Sequence, residues 1–179
     1  MTGMRYKYGM IHGRFQPFHL EHLRYFRLAW DQCERVLVGI TNPDPSAVVA
    51  DPLSPHRHLP DENPFTYTER VMMIQGVFRD EGYPLERIFI VPFPVHHADR
   101  WPFYVPAGTV MFVVAYTPWE RQKAERLRQA GSPVVEETGF SKGISGREIR
   151  ELIKSGGPWE HLVPPAVARC LREKPWKTT

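Results

Sequence analysis

The chain is poor in cysteine, has no long apolar run and carries almost no excess of charge, and each shortage removes a class of protein. Its two cysteines, Cys33 and Cys170, stand far apart in 179 residues and in no metal-ligand or redox spacing. That excludes a disulfide framework and a thiolate metal centre, and leaves two buried thiols. No apolar stretch reaches the length of a membrane span. Met1-Thr2-Gly3-Met4-Arg5 runs straight into a strand pattern without a signal-peptide core, so a cytoplasmic location with no membrane partner is expected. The net charge is only +3, and from Arg121 to Arg128 basic residues are interleaved with acidic ones. This is the pattern of a solvated helix face, not of a nucleic-acid-binding stripe. No carboxylate cage for a metal is visible. His56 and His58 form a pair without a third ligand nearby and read as exposed loop histidines.

What is present fits one globular domain over residues 1–179. The hydrophobic fraction is 42% and the charged fraction 24%. Tyr8-Gly9-Met10-Ile11 reads as a first strand. Leu20, Leu23, Phe26 and Trp30 recur at helical spacing and predict a helix from about His19 to Gln32. Val36 to Thr41 reads as a buried parallel strand. Thr66 and Glu69 fit a capping box ahead of Val71, Ile74, Val77 and Phe78, a second helix closed by Gly82. Arg87 to Pro92, Thr109 to Ala115 and Val134 to Glu136 read as further strands, with a polar helix from Trp119 to Ala130 between the last two. Ser145 and Glu148 fit another capping box, opening a helix with apolar positions Ile149, Leu152 and Ile153; a last helix ends near Arg172. The expected architecture is α/β: a Rossmann-like, doubly wound, parallel five-stranded sheet with a C-terminal helical segment over 145–179. Many of the 18 prolines fall in connections, above all in the stretch 42–63. A loop this long is usually functional, and its position after the second strand would let it fold over a site at the strand ends.

Two stretches carry chemistry. Gly13-Arg14-Phe15-Gln16-Pro17-Phe18-His19-Leu20-Glu21-His22 reads as the turn from the first strand into the first helix. Such a turn gathers free backbone amides at a positive helix end, where anions bind. His19 and His22, three apart, share a helix face beside it and with Arg14 make a site suited to a polyphosphate. In the second stretch the amides of Gly146 and Arg147 follow Ser145 into a helix, with Arg150 one turn in and Lys142 just before. Tyr116 and Thr117, at the carboxyl end of the fourth strand, fall where the topology places base or ribose contacts.

The first stretch resembles the opening signature of the nucleotidylyltransferase superfamily, usually His-x-Gly-His, and most closely that of archaeal-type nicotinamide-mononucleotide adenylyltransferases. Glu21 stands where that family has glycine. Asn63-Pro64-Phe65-Thr66 with Glu69-Arg70, and the run from Trp159 to Pro164, are similar to the same family. The stretch from Ser145 to Arg150 resembles its second signature, Ser-x-Thr-x-x-Arg, with Arg147 in place of threonine. The resemblance implies transfer of a nucleotidyl group, AMP from ATP first, to a phosphate or similar anionic acceptor with release of pyrophosphate. His19, His22 and Arg150 would be catalytic. Gly13, Arg14, Phe15, Lys142, Ser145, Gly146 and Arg147 would hold phosphates, and Mg2+ would enter with the triphosphate without a nameable protein ligand. Trp101 falls where the family stacks the nicotinamide ring, but the polar residues before that tryptophan differ: His96, His97 and Asp99 stand there instead. The implied partners are thus a nucleoside triphosphate and a small anionic acceptor, with homo-oligomer formation open. A cytidylyltransferase acting on a phosphosugar, phosphonate or specialised metabolite, and a nucleotide-binding sensor without turnover, remain alternatives.

Overall fold

The computed structural model describes residues 4–48, 50, 52, 58–139 and 143–175. Five strands form one sheet in the order β3-β2-β1-β4-β5: β1 (Tyr6–Gly13), β2 (Cys33–Ile40), β3 (Ile88–Pro92), β4 (Val110–Val114) and β5 (Val134–Glu137). Every pairing is parallel. The chain builds outward from β1 in one direction through β2 and β3, and then in the other through β4 and β5. The sheet is doubly wound, and its switch point lies between β1 and β4.

Five α-helices cover the sheet: α1 (Leu20–Trp30), α2 (Tyr67–Asp80), α3 (Pro118–Gln129), α4 (Gly146–Ser155) and α5 (Pro165–Glu173). Side chains of β1 alternate between two cores. Ile11 packs with residues of α1, α2, α4 and α5, such as Phe26, Phe78, Ile149 and Val167. Met10 packs with Phe93, Trp101, Met111 and the α3 residues Ala124 and Leu127. Strand β2 begins earlier than its composition suggests, because Glu34 and Arg35 interrupt the apolar pattern while Cys33 still pairs with Tyr6. Gly9 makes that possible: a Cβ there would lie 2.3 Å from Cys33 Sγ. Leu20, expected on the apolar face of α1, is instead 39% exposed; Tyr25 and Ala29 take buried positions on that helix.

Helix caps follow the side-chain chemistry. Thr66 Oγ1 accepts from Glu69 N at 3.2 Å, and Glu69 Oε2 accepts from Thr66 N at 2.7 Å, closing the expected box at α2. At α4, Ser145 Oγ accepts from Glu148 N at 3.2 Å, the forward half of the expected box. The α4 start also approaches the β1 turn closely, since a Cβ on Gly146 would lie 2.6 Å from Gln16 O. Only glycine allows that backbone contact.

Arg70 of α2 is 1% exposed, and its guanidinium donates to four backbone carbonyls. They belong to Arg14 (3.0 Å), Thr41 (2.8 Å), Asn42 (2.8 Å) and Thr66 (3.2 Å). Burial pushes its pKa down to about 10, which still leaves it charged at neutral pH. Two of these carbonyls precede Phe15 and Asn42, the non-glycine residues held at φ 51° and 49°. Replacing Arg70 with Met should therefore destabilise the fold by about 3 kcal/mol, through carbonyls left without a donor. Urea unfolding measures this, and Arg70→Lys should recover only part, because a point charge cannot serve the same fork of acceptors.

Candidate active site

A cavity of about 380 Å³ opens at the carboxyl ends of β1 and β4. Its walls come from the β1 turn, from α3 and from the start of α4, so the fold brings the two chemical stretches of the sequence together. The Gly13, Arg14 and Phe15 segment, His19, His22, Tyr116 and the Ser145, Gly146, Arg147 and Arg150 group all line it.

His19 caps α1 and is 5% exposed; its ring stacks on His22 with centroids 3.6 Å apart and planes 22° from parallel. The His19 backbone N–H donates to His22 Nδ1 at 3.2 Å. An imidazole nitrogen that accepts carries no proton, so Nε2–H is the donor tautomer of His22. Burial holds the His22 pKa well below the ordinary range, and the nearby His19, Arg14 and Lys123 depress it further. His22 is thus a neutral hydrogen-bond donor fixed by the backbone of the preceding turn. Phe15, edge-on to His22 at 4.9 Å, supports the ring from below.

On the α4 side three arginines converge on one carboxylate. Arg147 reaches Glu62 Oε1 through Nε at 2.9 Å and Nη2 at 2.6 Å, and Arg150 Nη2 binds Glu62 Oε2. Arg14 lies 3.8 Å from the same carboxylate and donates to the Glu62 carbonyl at 3.1 Å. Arg150, 4% exposed, also donates to Gln16 O at 2.6 Å, locking α4 to the β1 turn. Burial pushes the Glu62 carboxyl up, but Arg147, Arg150 and Arg14 outweigh it and hold the group below its ordinary value. Three guanidinium groups against one carboxylate leave a positive surplus facing the cavity. Glu62 closes the proline-rich stretch, and nothing in its sequence context marks it.

Several expected residues lie elsewhere. Trp101 is 7% exposed, packs on Phe93 at 5.0 Å and donates from Nε1 to Pro94 O, so the structure puts it in the α3-side core and not in the cavity wall. His96 and Asp99 are exposed and His97 is half-buried; none lines the cavity. Thr117 forms a capping box for α3 with Glu120 and also stays out of the wall. Lys142 and His56 fall outside the described residues, and His58 is exposed. Glu21 does line the cavity, hydrogen-bonded to Tyr116, with a buried Oε2 that lacks a hydrogen-bond partner among the described residues. His12, Tyr25, Trp119 and Lys123 are wall residues that no motif signalled.

Chemically, the described wall offers donors and cations; the Cys33 thiol, outside that wall, is pushed up to about 11 by burial, away from reactivity. A neutral imidazole donor beside a guanidinium cradle at the switch point of a parallel sheet is an arrangement suited to charge on phosphate oxygens, and it fits the class of nucleotidyltransferases.

Residues 10–152 match the family described as Cytidylyltransferase-like, and the chain belongs to that family. Over 166 residues it is 43% identical to the phosphonoformate cytidylyltransferase of Streptomyces viridochromogenes, covering 92% of this chain and 90% of that one. It is 31% identical over 169 residues to the nicotinamide-nucleotide adenylyltransferase of Thermococcus kodakarensis, covering 93% and 83% respectively. The fold also matches a solved bifunctional NMN adenylyltransferase/ADP ribose pyrophosphatase from Francisella tularensis, with a TM-score of 0.65 and 17% identity. That match covers 88% of this chain but only 45% of the bifunctional one.

Truncating either histidine, as His19→Ala or His22→Ala, is expected to lower kcat by about 10²–10³-fold, the usual loss for a charge-stabilising donor. Wild-type turnover in either variant would make that ring structural. The same burial predicts a pH dependence of stability. His12 and His22 are held below the ordinary 6.5, so the unfolded chain takes up protons that the folded one refuses. Stability is then fully present above about pH 6.5 and is lost as pH falls, by up to about 1.4 kcal/mol per unit for each histidine. Thermal unfolding between about pH 7.5 and 5.5 measures the slope, which should be shallower in His12→Leu.

Proposed function

We propose that the protein transfers CMP from CTP to a small phosphonate- or phosphate-bearing acid and releases pyrophosphate. The carrying observation is the fixed Nε2–H tautomer of His22, set between the stacked His19 ring and the Arg14, Arg147 and Arg150 cradle. An ionised acceptor oxygen attacks the α-phosphorus, the new P–O bond forms, and the α–β bridge breaks with its electron pair going to pyrophosphate. The acceptor needs no base. His19 and His22 donate to the α-phosphate as charge builds there. The arginines and the amides at the start of α4 hold the leaving pyrophosphate. Mg2+ would be held by triphosphate oxygens and water, since among the described residues no three His, Cys, Asp or Glu side chains gather to hold an ion.

The donor base is where this reading departs from the sequence-based expectation, which put ATP first. The higher identity to the Streptomyces cytidylyltransferase supports CTP. The burial of Trp101 supports an acceptor other than a nicotinamide nucleotide, because its indole presents no face to the cavity. Pyrophosphate release with CTP and phosphonoformate should proceed with kcat/KM of about 10⁴ M⁻¹s⁻¹ or above. ATP with nicotinamide mononucleotide should fall at least about 100-fold lower. The reverse ranking would restore the adenylyltransferase assignment; no release from any pair would leave a nucleotide-binding sensor.

A further inference from the structure

A buried histidine in the cavity is left over by the phosphate chemistry. His12, the last residue but one of β1, lies on the α3 side of the sheet, is 2% exposed, and lines the cavity. Neither of its ring nitrogens has a hydrogen-bond partner among the described residues. The strand partner opposite is Gly39, where a Cβ would come within 3.3 Å of His12 Cβ and 2.0 Å of Met10 Cε, so the sheet is built to admit this ring. Phe93 supports it edge-on at 5.3 Å. Burying a polar group without a partner is costly, and a ligand that supplies the partner removes the cost.

A cation of the same cavity wall belongs to α3. Lys123 is half-buried in the cavity wall, with its ammonium 5.3 Å from the Trp119 ring. After burial itself, Lys123 is what depresses the His12 pKa. His22, by contrast, feels both Lys123 and Arg14. The two histidines of the turn therefore sit between two charged ends: the arginine cradle toward α4, and Lys123 with His12 toward α3. Two acids share the α3 side. Glu120 is occupied by Thr117 at the helix cap, and Glu21 is hydrogen-bonded to Tyr116.

Resting on the nucleotidyl-transfer reading, we propose that Lys123 and His12 form the acceptor subsite and receive a carboxylate that the acceptor carries in addition to its reacting phosphonate or phosphate. An ammonium beside a neutral imidazole N–H supplies a charge and a directed donor to a carboxylate. The second imidazole nitrogen takes a water or hydroxyl. Val113 adds an apolar face to that part of the wall, and Phe93 packs edge-on against the His12 ring.

The test uses the full-length enzyme, Lys123→Met and His12→Gln with CTP and two probes, phosphonoformate and methylphosphonate, the second lacking the carboxylate. Wild type should prefer phosphonoformate by at least about 100-fold in kcat/KM. Lys123→Met should raise KM for phosphonoformate about tenfold or more, leave KM for CTP within about twofold, and collapse the preference. His12→Gln, which keeps one donor, should show a smaller loss in the same direction. Calorimetric titration of phosphonoformate into each protein reads the subsite without turnover, and Lys123→Met should weaken that binding by a similar factor. Unchanged phosphonoformate binding, or equal losses for CTP and both acceptors, overturns the proposal. Failure of wild type to release pyrophosphate would instead overturn the transfer reading, while the titration still decides the subsite.

Discussion

The active end of this protein depends on one guanidinium that stands outside the cavity wall. Arg70 spans from α2 to the turns that leave β1 and β2, and it binds the peptide carbonyls just before the two residues with left-handed backbone. Those turns would relax toward commoner conformations without it, and the His19 and His22 rings would lose their aim. Pairing with carbonyls instead of a carboxylate lets the group brace the turns while its charge remains uncancelled. It adds to the positive field at the strand ends, where phosphate charge is expected to gather.

Glu62 has the complementary task. A carboxylate that binds Arg14, Arg147 and Arg150 keeps like charges from splaying apart before any anion arrives. It also ties the end of the proline-rich stretch to the second motif, so residues far apart in the chain share one electrostatic knot. An anion entering the cavity would have to compete with this carboxylate for the same guanidinium protons. The cradle is consequently preorganised yet not free, a compromise between order and affinity.

The sheet, its parallel sense and its helices were legible because buried strands and amphipathic helices leave strong periodic traces. That the two motif stretches open helices at one end of the sheet was legible because glycine, histidine and arginine occur there at spacings that suit a strand-turn-helix unit. Boundaries such as the start of β2 were not, since Glu34 and Arg35 mask a strand that pairing with β1 sustains. Glu62, His12 and Lys123 were invisible for a different reason. Each owes its role to neighbours from distant segments, and a lone acid, histidine or lysine carries no local signature. Trp101 illustrates the converse: its place in the sequence was suggestive, while its surroundings, Phe93 and the α3 core, are not.

The contact between Gly146 and the Gln16 carbonyl carries a mechanical consequence. Where two backbones touch, with Arg150 pinning the same carbonyl, the α4 wall and the β1 turn form one rigid jaw. The α3 wall is lined by side chains, among them Trp119 and Lys123, with the Lys123 ammonium 5.3 Å from the Trp119 ring. The two sides of the cavity therefore differ in kind: a seam of touching backbones on one, a palisade of side chains on the other.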